Sequence, residues 1–217
     1  MKRIAFYGGS FDPLHNGHLT IAKKLSKDFR LDKFVFIPAF HAPHKRMRVP
    51  TSAFSRFAML CLATSSEPNI SVSKIELELP EKPYSIETLT KLKSQFEATN
   101  EIFFVIGADS WAEITTWRDW ENLLKLVNII VVTRPNYEIS FSHVTAEIID
   151  RIVDLRVDKR DISPFETSIF ITDAVNMDIS ATKIRQLVAE NQQDWKTFVP
   201  AEIAEYIEKY ELYKDKI

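Results

Sequence analysis

Cysteine is almost missing from this sequence. Cys61 is the only one among 217 residues, so no internal disulfide can form and no cysteine-rich metal knuckle can be assembled. It lies in the apolar run Ala58-Met59-Leu60-Cys61-Leu62, where it reads as a small core hydrophobe. Long hydrophobic runs are missing as well. Ile129-Ile130-Val131-Val132 is typical, and a bilayer span needs about 20 apolar residues. Met1-Lys2-Arg3 leads straight into a strand-like run, without the apolar stretch of a signal peptide. A cytoplasmic protein without a membrane partner is expected. There is no excess of one charge sign: 28 Lys and Arg face 30 Asp and Glu, a net charge of −2. That leaves no broad basic face for nucleic acid. Glycine is the scarcest for its usual abundance, with only four where about 7% of residues is ordinary.

Those four glycines are concentrated. Gly8, Gly9 and Gly17 fall within Gly8-Gly9-Ser10-Phe11-Asp12-Pro13-Leu14-His15-Asn16-Gly17-His18, and Gly107 falls in Ile106-Gly107-Ala108-Asp109. The first stretch follows the apolar run Ile4-Ala5-Phe6-Tyr7 and precedes an amphipathic one, giving the order strand, glycine loop, two histidines, helix. Glycine lets backbone N–H groups approach an anion, and a helix N-terminus adds unpaired N–H groups and a partial positive charge. His15 and His18, three apart at a helix start, can share one face and donate hydrogen bonds to phosphate. With His41 and His44 a four-histidine zinc site is conceivable on spacing. No cysteine, and no carboxylate at ligand spacing, supports it, so no bound metal is expected.

Further along, apolar runs rich in β-branched and aromatic residues recur at 4–7, 34–37, 70–72, 102–106, 129–132 and 168–171. Helical spacing appears at 19–29, 54–65, 86–96, 120–126 and 184–189, with a short amphipathic tail helix over 200–213. Strands alternating with helices predict an α/β fold, a Rossmann-like, doubly wound, mostly parallel sheet with helices on both faces. The strands are nearly continuous in apolar character, as strands buried on two faces should be. Residues 133–167 read as a connecting region. Loops after parallel strands gather at one sheet edge, where open α/β sheets bind ligands.

Three more segments start at that edge. Pro43-His44-Lys45-Arg46-Met47-Arg48 carries three cations in four positions, a basic loop suited to phosphate. Gly107 and Asp109 follow a strand; a carboxylate there either accepts from ribose hydroxyls or caps the next helix. Ile179-Ser180-Ala181-Thr182-Lys183-Ile184-Arg185 offers an N-cap serine, hydroxyls, free N–H groups and an arginine one turn on. Trp111, Trp117 and Trp120 lie nearby, and one could stack on a base. No Walker lysine loop or Gly-x-Ser-x-Gly elbow is present. Chemistry by positioning and charge stabilisation, without a covalent intermediate, is expected.

Together these segments resemble a known group. The first motif is similar to the His-x-Gly-His signature of the nucleotidyltransferase superfamily, and residues 179–185 to its Ile-Ser-x-Thr-x-x-Arg signature. Pro43-His44-Lys45, Gly107-Ala108-Asp109, Thr116-Trp117 and Pro83-Tyr84-Ser85-Ile86-Glu87-Thr88-Leu89 resemble the bacterial nicotinate-mononucleotide adenylyltransferases, from Lys2 to Tyr213. The resemblance implies one nucleotidyltransferase domain over 1–217, with a helical part over about 180–213. It implies transfer of the adenylyl group of ATP to nicotinate mononucleotide, giving deamido-NAD and pyrophosphate, with Mg²⁺ carried by ATP. By the same analogy His15, His18, Lys45 and Arg185 are the catalytic groups. Gly8, Gly9, Ser10, Phe11, Gly107, Asp109, Ile179, Ser180 and Thr182 join both histidines and Arg185 around ATP. Ser10, Lys45, Ser85, Ile86, Trp117 and Arg118 bind the mononucleotide. Ser85 stands where the group usually has Thr, and Arg118 where a neutral residue is expected. Alternatives are a nicotinamide-mononucleotide-preferring or phosphopantetheine adenylyltransferase, a class I aminoacyl-tRNA synthetase fragment, and a non-catalytic nucleotide-binding module. A homo-oligomer is left open.

Overall fold

A computed structural model describes residues 1–40, 51–78, 83–133, 138–157, 167–173 and 179–214. Seven strands form one sheet: β1 (Arg3–Gly9), β2 (Lys33–Pro38), β3 (Ile70–Val72), β4 (Glu101–Gly107), β5 (Asn128–Val132), β6 (Ile152–Asp154) and β7 (Ile169–Thr172). Their order is β3-β2-β1-β4-β5-β7-β6, and every neighbouring pair is parallel. The helices are α1 (Asn16–Asp28), α2 (Ala53–Thr64), α3 (Ser85–Ser94), α4 (Ala108–Ala112), α5 (Trp120–Leu126), α6 (Ala146–Ile149), α7 (Ala181–Ala189) and α8 (Ala201–Lys209).

The strands alternate between two cores. Ala5, Tyr7, Phe34, Phe36, Phe103 and Val105 face a cluster built with α1, α2, α7 and α8. Ile4, Phe6, Val35, Ile37, Ile102 and Phe104 face a second, built with α3 and α5 and capped by Trp111 and Ile114. Both sheet faces are covered, which is why the strands read as unbroken apolar runs. The fold is the expected Rossmann-like, doubly wound one.

Two expectations need correction. The stretch 133–167, read as connection only, contains β6, a three-residue strand that pairs with β7 at the sheet edge. Its partly buried residues and short length left no apolar run to detect. Cys61 is only half-buried. It lines an open groove between α2 and α8 with Leu62 and Tyr206, because the buried stripe of α2 runs through Arg56, Met59, Leu60 and Ala63 instead.

The strand order reverses between β1 and β4, the position where open α/β sheets bind ligands. There the two strands part. Pairing of β1 with β4 stops at Tyr7–Val105. Pairing of β1 with β2 continues to Gly9–Pro38, and that of β4 with β5 to Gly107–Val132. The result is a cleft lined on one side by Gly8 and Gly9 and on the other by Gly107.

Candidate active site

The loop leaving β1 is held open by aromatic packing rather than by unusual glycine dihedrals; none of the glycines has a positive φ. A Cβ on Gly9 would come within 2.8 Å of the Phe11 ring, and one on Gly17 within 3.1 Å of the His15 ring. A Cβ on Gly107 would meet nothing, so that glycine fronts open space in the cleft. The strain falls on Phe11, whose φ is 47°. Such a conformation costs about 1–3 kcal/mol in a non-glycine residue. It is offset by burial of the ring against Tyr7, Phe36 and His18, with centroids 5.0–5.3 Å away.

That turn delivers His15 to the N-cap of α1 and His18 to its third position. Nδ1 of His18 accepts the backbone N–H of His15 at 3.2 Å, which leaves the imidazole proton on Nε2 in the neutral ring. The two rings are stacked, centroids 3.7 Å apart. Burial, and secondarily the neighbouring His15, hold the pKa of His18 well below its ordinary value. His18 is therefore a neutral N–H donor at neutral pH, and a cation only if an anion arrives to favour that form.

Arg185, on α7, reaches back to this loop. Its Nη1 donates to the carbonyl of Asp12 at 2.7 Å, and its Nη2 to Thr182 Oγ1 at 3.1 Å. The helix start that carries Ser180 and Thr182 is thereby tied to the loop that carries the histidines. Ser180 caps α7, its Oγ accepting the Lys183 N–H at 3.2 Å, and Ile179 packs beside the core. These two ends meet although 173 residues separate Asp12 from Arg185.

On the far side of the cleft, Gly107 precedes α4 and Asp109 lies exposed in its first turn. Asp109 is not the cap of that helix; Gly107 occupies the cap position. The ring of Phe104 links the two sides. It lies 3.3 Å from where a Gly8 Cβ would be, and its centroid is 6.5 Å from that of Trp117. Arg118, next in the chain, sits over the Tyr84 ring at 4.6 Å and 3.7 Å from Glu87. Glu87 in turn accepts the Tyr84 N–H at 3.0 Å. Ser85 and Ile86 are the first two residues of α3, and Ile86 lines an open pocket with Glu87 and Arg118. Lys45, with His41 and His44, lies outside the described residues.

The sequence reading missed Arg56. It is 1% exposed and donates to four backbone carbonyls, those of Thr51, Ser10, Ala39 and Phe40, at 2.6–3.4 Å. It therefore clamps the β1 loop to the end of β2. Its signal was present: it falls on the i, i+3, i+4, i+7 stripe with Met59, Leu60 and Ala63. Asp12 was missed as well. Its Oδ1 accepts the Tyr213 hydroxyl at 2.7 Å and its Oδ2 the Thr51 N–H at 3.3 Å. Among the described residues no cluster of three His, Cys, Asp or Glu side chains could hold a metal, and no helix is long and apolar enough to cross a membrane.

Comparison with known proteins bears on the family and the fold. The cytidylyltransferase-like family profile matches residues 6–187. A protein of Thermoanaerobacter sp. (strain X514), named as a probable nicotinate-nucleotide adenylyltransferase, is 34% identical over 212 residues. The match covers 98% of this chain and 94% of that one. A protein of the same name from Citrifermentans bemidjiense is 34% identical over 98% of this chain and 99% of its own. The nicotinic acid mononucleotide adenylyltransferase of Plasmodium falciparum, solved in complex with NaAD, superposes with a TM-score of 0.73 at 19% identity. That match covers 100% of this chain and 99% of the other.

Proposed function

As the chain belongs to the cytidylyltransferase-like family, and within it to the nicotinate-nucleotide adenylyltransferases, we propose that it makes deamido-NAD from ATP and nicotinate mononucleotide. An oxygen of the mononucleotide 5′-phosphate forms a bond to the α-phosphorus of ATP. The bond from that phosphorus to the bridging oxygen of the β-phosphate breaks, and pyrophosphate leaves with the electron pair. No protein nucleophile is required, so catalysis consists of alignment and stabilisation of developing charge.

The observation that carries the reading is the 2.7 Å bond from Arg185 to the Asp12 carbonyl. It gathers the α7 start and the histidine loop beside the cleft between β1 and β4, so one triphosphate can engage both. In this assignment the backbone of Gly8, Gly9, Ser10 and Phe11 lines the phosphate path. His18 donates a hydrogen bond from its Nε2–H to a phosphate oxygen, with His15 stacked behind it. Ser180, Thr182, the free amides of α7 beside Ile179, and Arg185 receive the departing pyrophosphate. Lys45 adds a further phosphate contact from the basic loop. Asp109 and the Gly107 backbone take the ribose of adenosine. Trp117 stacks on the pyridine ring, and the amides near Ser85, Ile86 and Arg118 receive the nicotinate carboxylate.

The donors of the site are imidazole, amide and guanidinium groups, an anion-binding set. Magnesium would accordingly enter on the triphosphate as part of the substrate, where it offsets charge on the phosphate oxygens. The test is a substrate panel scored by pyrophosphate release with product identified by mass. Turnover of ATP with nicotinate mononucleotide is expected. Turnover only with 4′-phosphopantetheine would move the protein elsewhere in the family, and ATP binding without any product would make it a sensor. His18→Ala should lower kcat roughly 100- to 1,000-fold, the usual cost of one transition-state donor.

A further inference from the structure

The turn that follows α8 reaches the phosphate loop. After α8 ends at Lys209, the backbone turns through Glu211 (φ 53°) and Tyr213 (φ 64°), both in the left-handed region. Non-glycine residues hold such conformations only where the surroundings impose them. Here the turn buries Tyr213 to 7% exposure and sets its hydroxyl 2.7 Å from Asp12 Oδ1, across 201 residues of sequence. Burial first, and then the charge of Asp12, raise the hydroxyl pKa well above its ordinary value, so it stays a donor across the working pH range.

Asp12 is the residue on which the loop turns. It follows the strained Phe11 and precedes His15 by three positions. Its carbonyl receives Arg185, its Oδ2 receives the Thr51 amide, and its Oδ1 receives the Tyr213 hydroxyl. Asp12, 5% exposed, thus holds the α7 start through its backbone carbonyl, and the Thr51 segment and the turn after α8 through its carboxylate. A buried carboxylate so close to a polyanion site must keep a fixed direction, since any swing toward the cleft would set its charge against the triphosphate.

We propose that Tyr213 is a positioning residue for the adenylyl transfer. By fixing Asp12 it sets the shape of the loop that presents His15 and His18, without itself meeting substrate. The proposal rests on the reading of the site as an adenylyltransferase. It predicts a much larger effect on the ATP side, because of the groups assigned to the mononucleotide only Ser10 lies in this loop, while Tyr84, Glu87, Trp117 and Arg118 belong to other elements.

The experiment compares Tyr213→Phe with the parent protein and with Ile207→Val, a trimmed buried side chain of α8 that loses stability without touching Asp12. In Tyr213→Phe, kcat/KM for ATP should fall roughly ten- to a hundredfold, the scale of a misplaced catalytic group. The KM for nicotinate mononucleotide should change far less, and the His18 imidazole resonances should shift in the ligand-free protein. Ile207→Val should lower Tm and move none of these. Unchanged ATP kinetics and an unmoved His18 signal in a folded Tyr213→Phe would overturn the proposal, as would the same shifts in Ile207→Val. If Tyr213→Phe fails to fold, Leu212→Ala loosens the same turn from a half-buried neighbour and should shift the ATP parameters in the same direction by a smaller factor; no shift would overturn the proposal. If the parent protein makes no dinucleotide, the functional reading fails separately, and Tyr213 is judged on the Kd for ATP and the His18 signal alone.

Discussion

The imidazoles of His15 and His18 lie face to face, their centroids 3.7 Å apart and their planes 21° from parallel. Two positive charges at that separation repel strongly unless an anion sits against them. This repulsion adds to burial in depressing the His18 pKa. The folded protein therefore holds a proton on His18 less tightly than the unfolded chain, where the ring titrates near about 6.5. Stability from this group is present above about pH 6.5 and is lost as pH falls from there toward the folded value. The Tm of the parent protein should drop more between about pH 7 and about pH 5.5 than that of His18→Gln, which has no such proton to bind. Parallel curves would place the titration elsewhere. A bound triphosphate favours the charged ring, so adding an unreactive ATP analogue should raise the His18 pKa measured by NMR.

Arg56 predicts a different kind of loss. Its guanidinium satisfies four backbone carbonyls from three segments, and burial works against its charge, with Asp12 the first of the neighbours that support it. Arg56→Met would fill much of the space but strand those carbonyls. Bonds to charged groups contribute about 1.5–3 kcal/mol each, and a stranded buried acceptor costs about 1–3 kcal/mol. Several kcal/mol should be lost, which for a domain of this size lowers Tm by roughly 10 °C or more. Arg56→Lys keeps the charge but not the planar fork, so it should restore only part of that Tm. Full recovery in the lysine variant would mean that charge, not geometry, holds the loop.

Why some of this was readable and some not follows from chain distance. The parallel sheet, the His-bearing helix start and the α7 cap are local patterns, each set by a few consecutive residues such as Gly8 to His18 or Ser180 to Arg185. Strand β6 was lost because three half-buried residues make no periodic signal. The bonds of Tyr213 and Arg185 to Asp12 span 201 and 173 residues, and nothing in local composition announces a contact of that range. Arg56 falls between these cases. Its place on the apolar stripe of α2 was visible, but a lone cation there gives no clue to which carbonyls it meets.

Trp117 tests the division of the site. Its partly buried ring packs against the second core and meets Phe104 edgewise, and in the proposed site it stacks on the heteroaromatic ring of the mononucleotide. Trp117→Ala should raise KM for the mononucleotide by roughly tenfold or more, given about 1–3 kcal/mol for a lost base–aromatic stack. The KM for ATP should change little. Equal increases in both would assign the ring to the core beside Phe104 and not to the substrate.

Arg118 and Glu87 decide between an acid and an amide on the pyridine ring. Glu87 stands in the first turn of α3 because its carboxylate accepts the Tyr84 N–H. That charge opposes any anion approaching the same helix start. Arg118, 3.7 Å from Glu87 and stacked over Tyr84, offsets it and leaves the amides of Ser85 and Ile86 favourable to the nicotinate carboxylate. Both side chains are more than half exposed, so water screens the pair and the effect on stability should be small. The effect on selectivity should not be. Arg118→Ala should lower kcat/KM for nicotinate mononucleotide relative to nicotinamide mononucleotide by roughly tenfold, about 1.4 kcal/mol of differential charge interaction. Adding Glu87→Gln to that variant should recover most of the ratio, because the opposing charge is then gone. A ratio unmoved by Arg118→Ala would leave recognition of the carboxylate to the backbone amides alone.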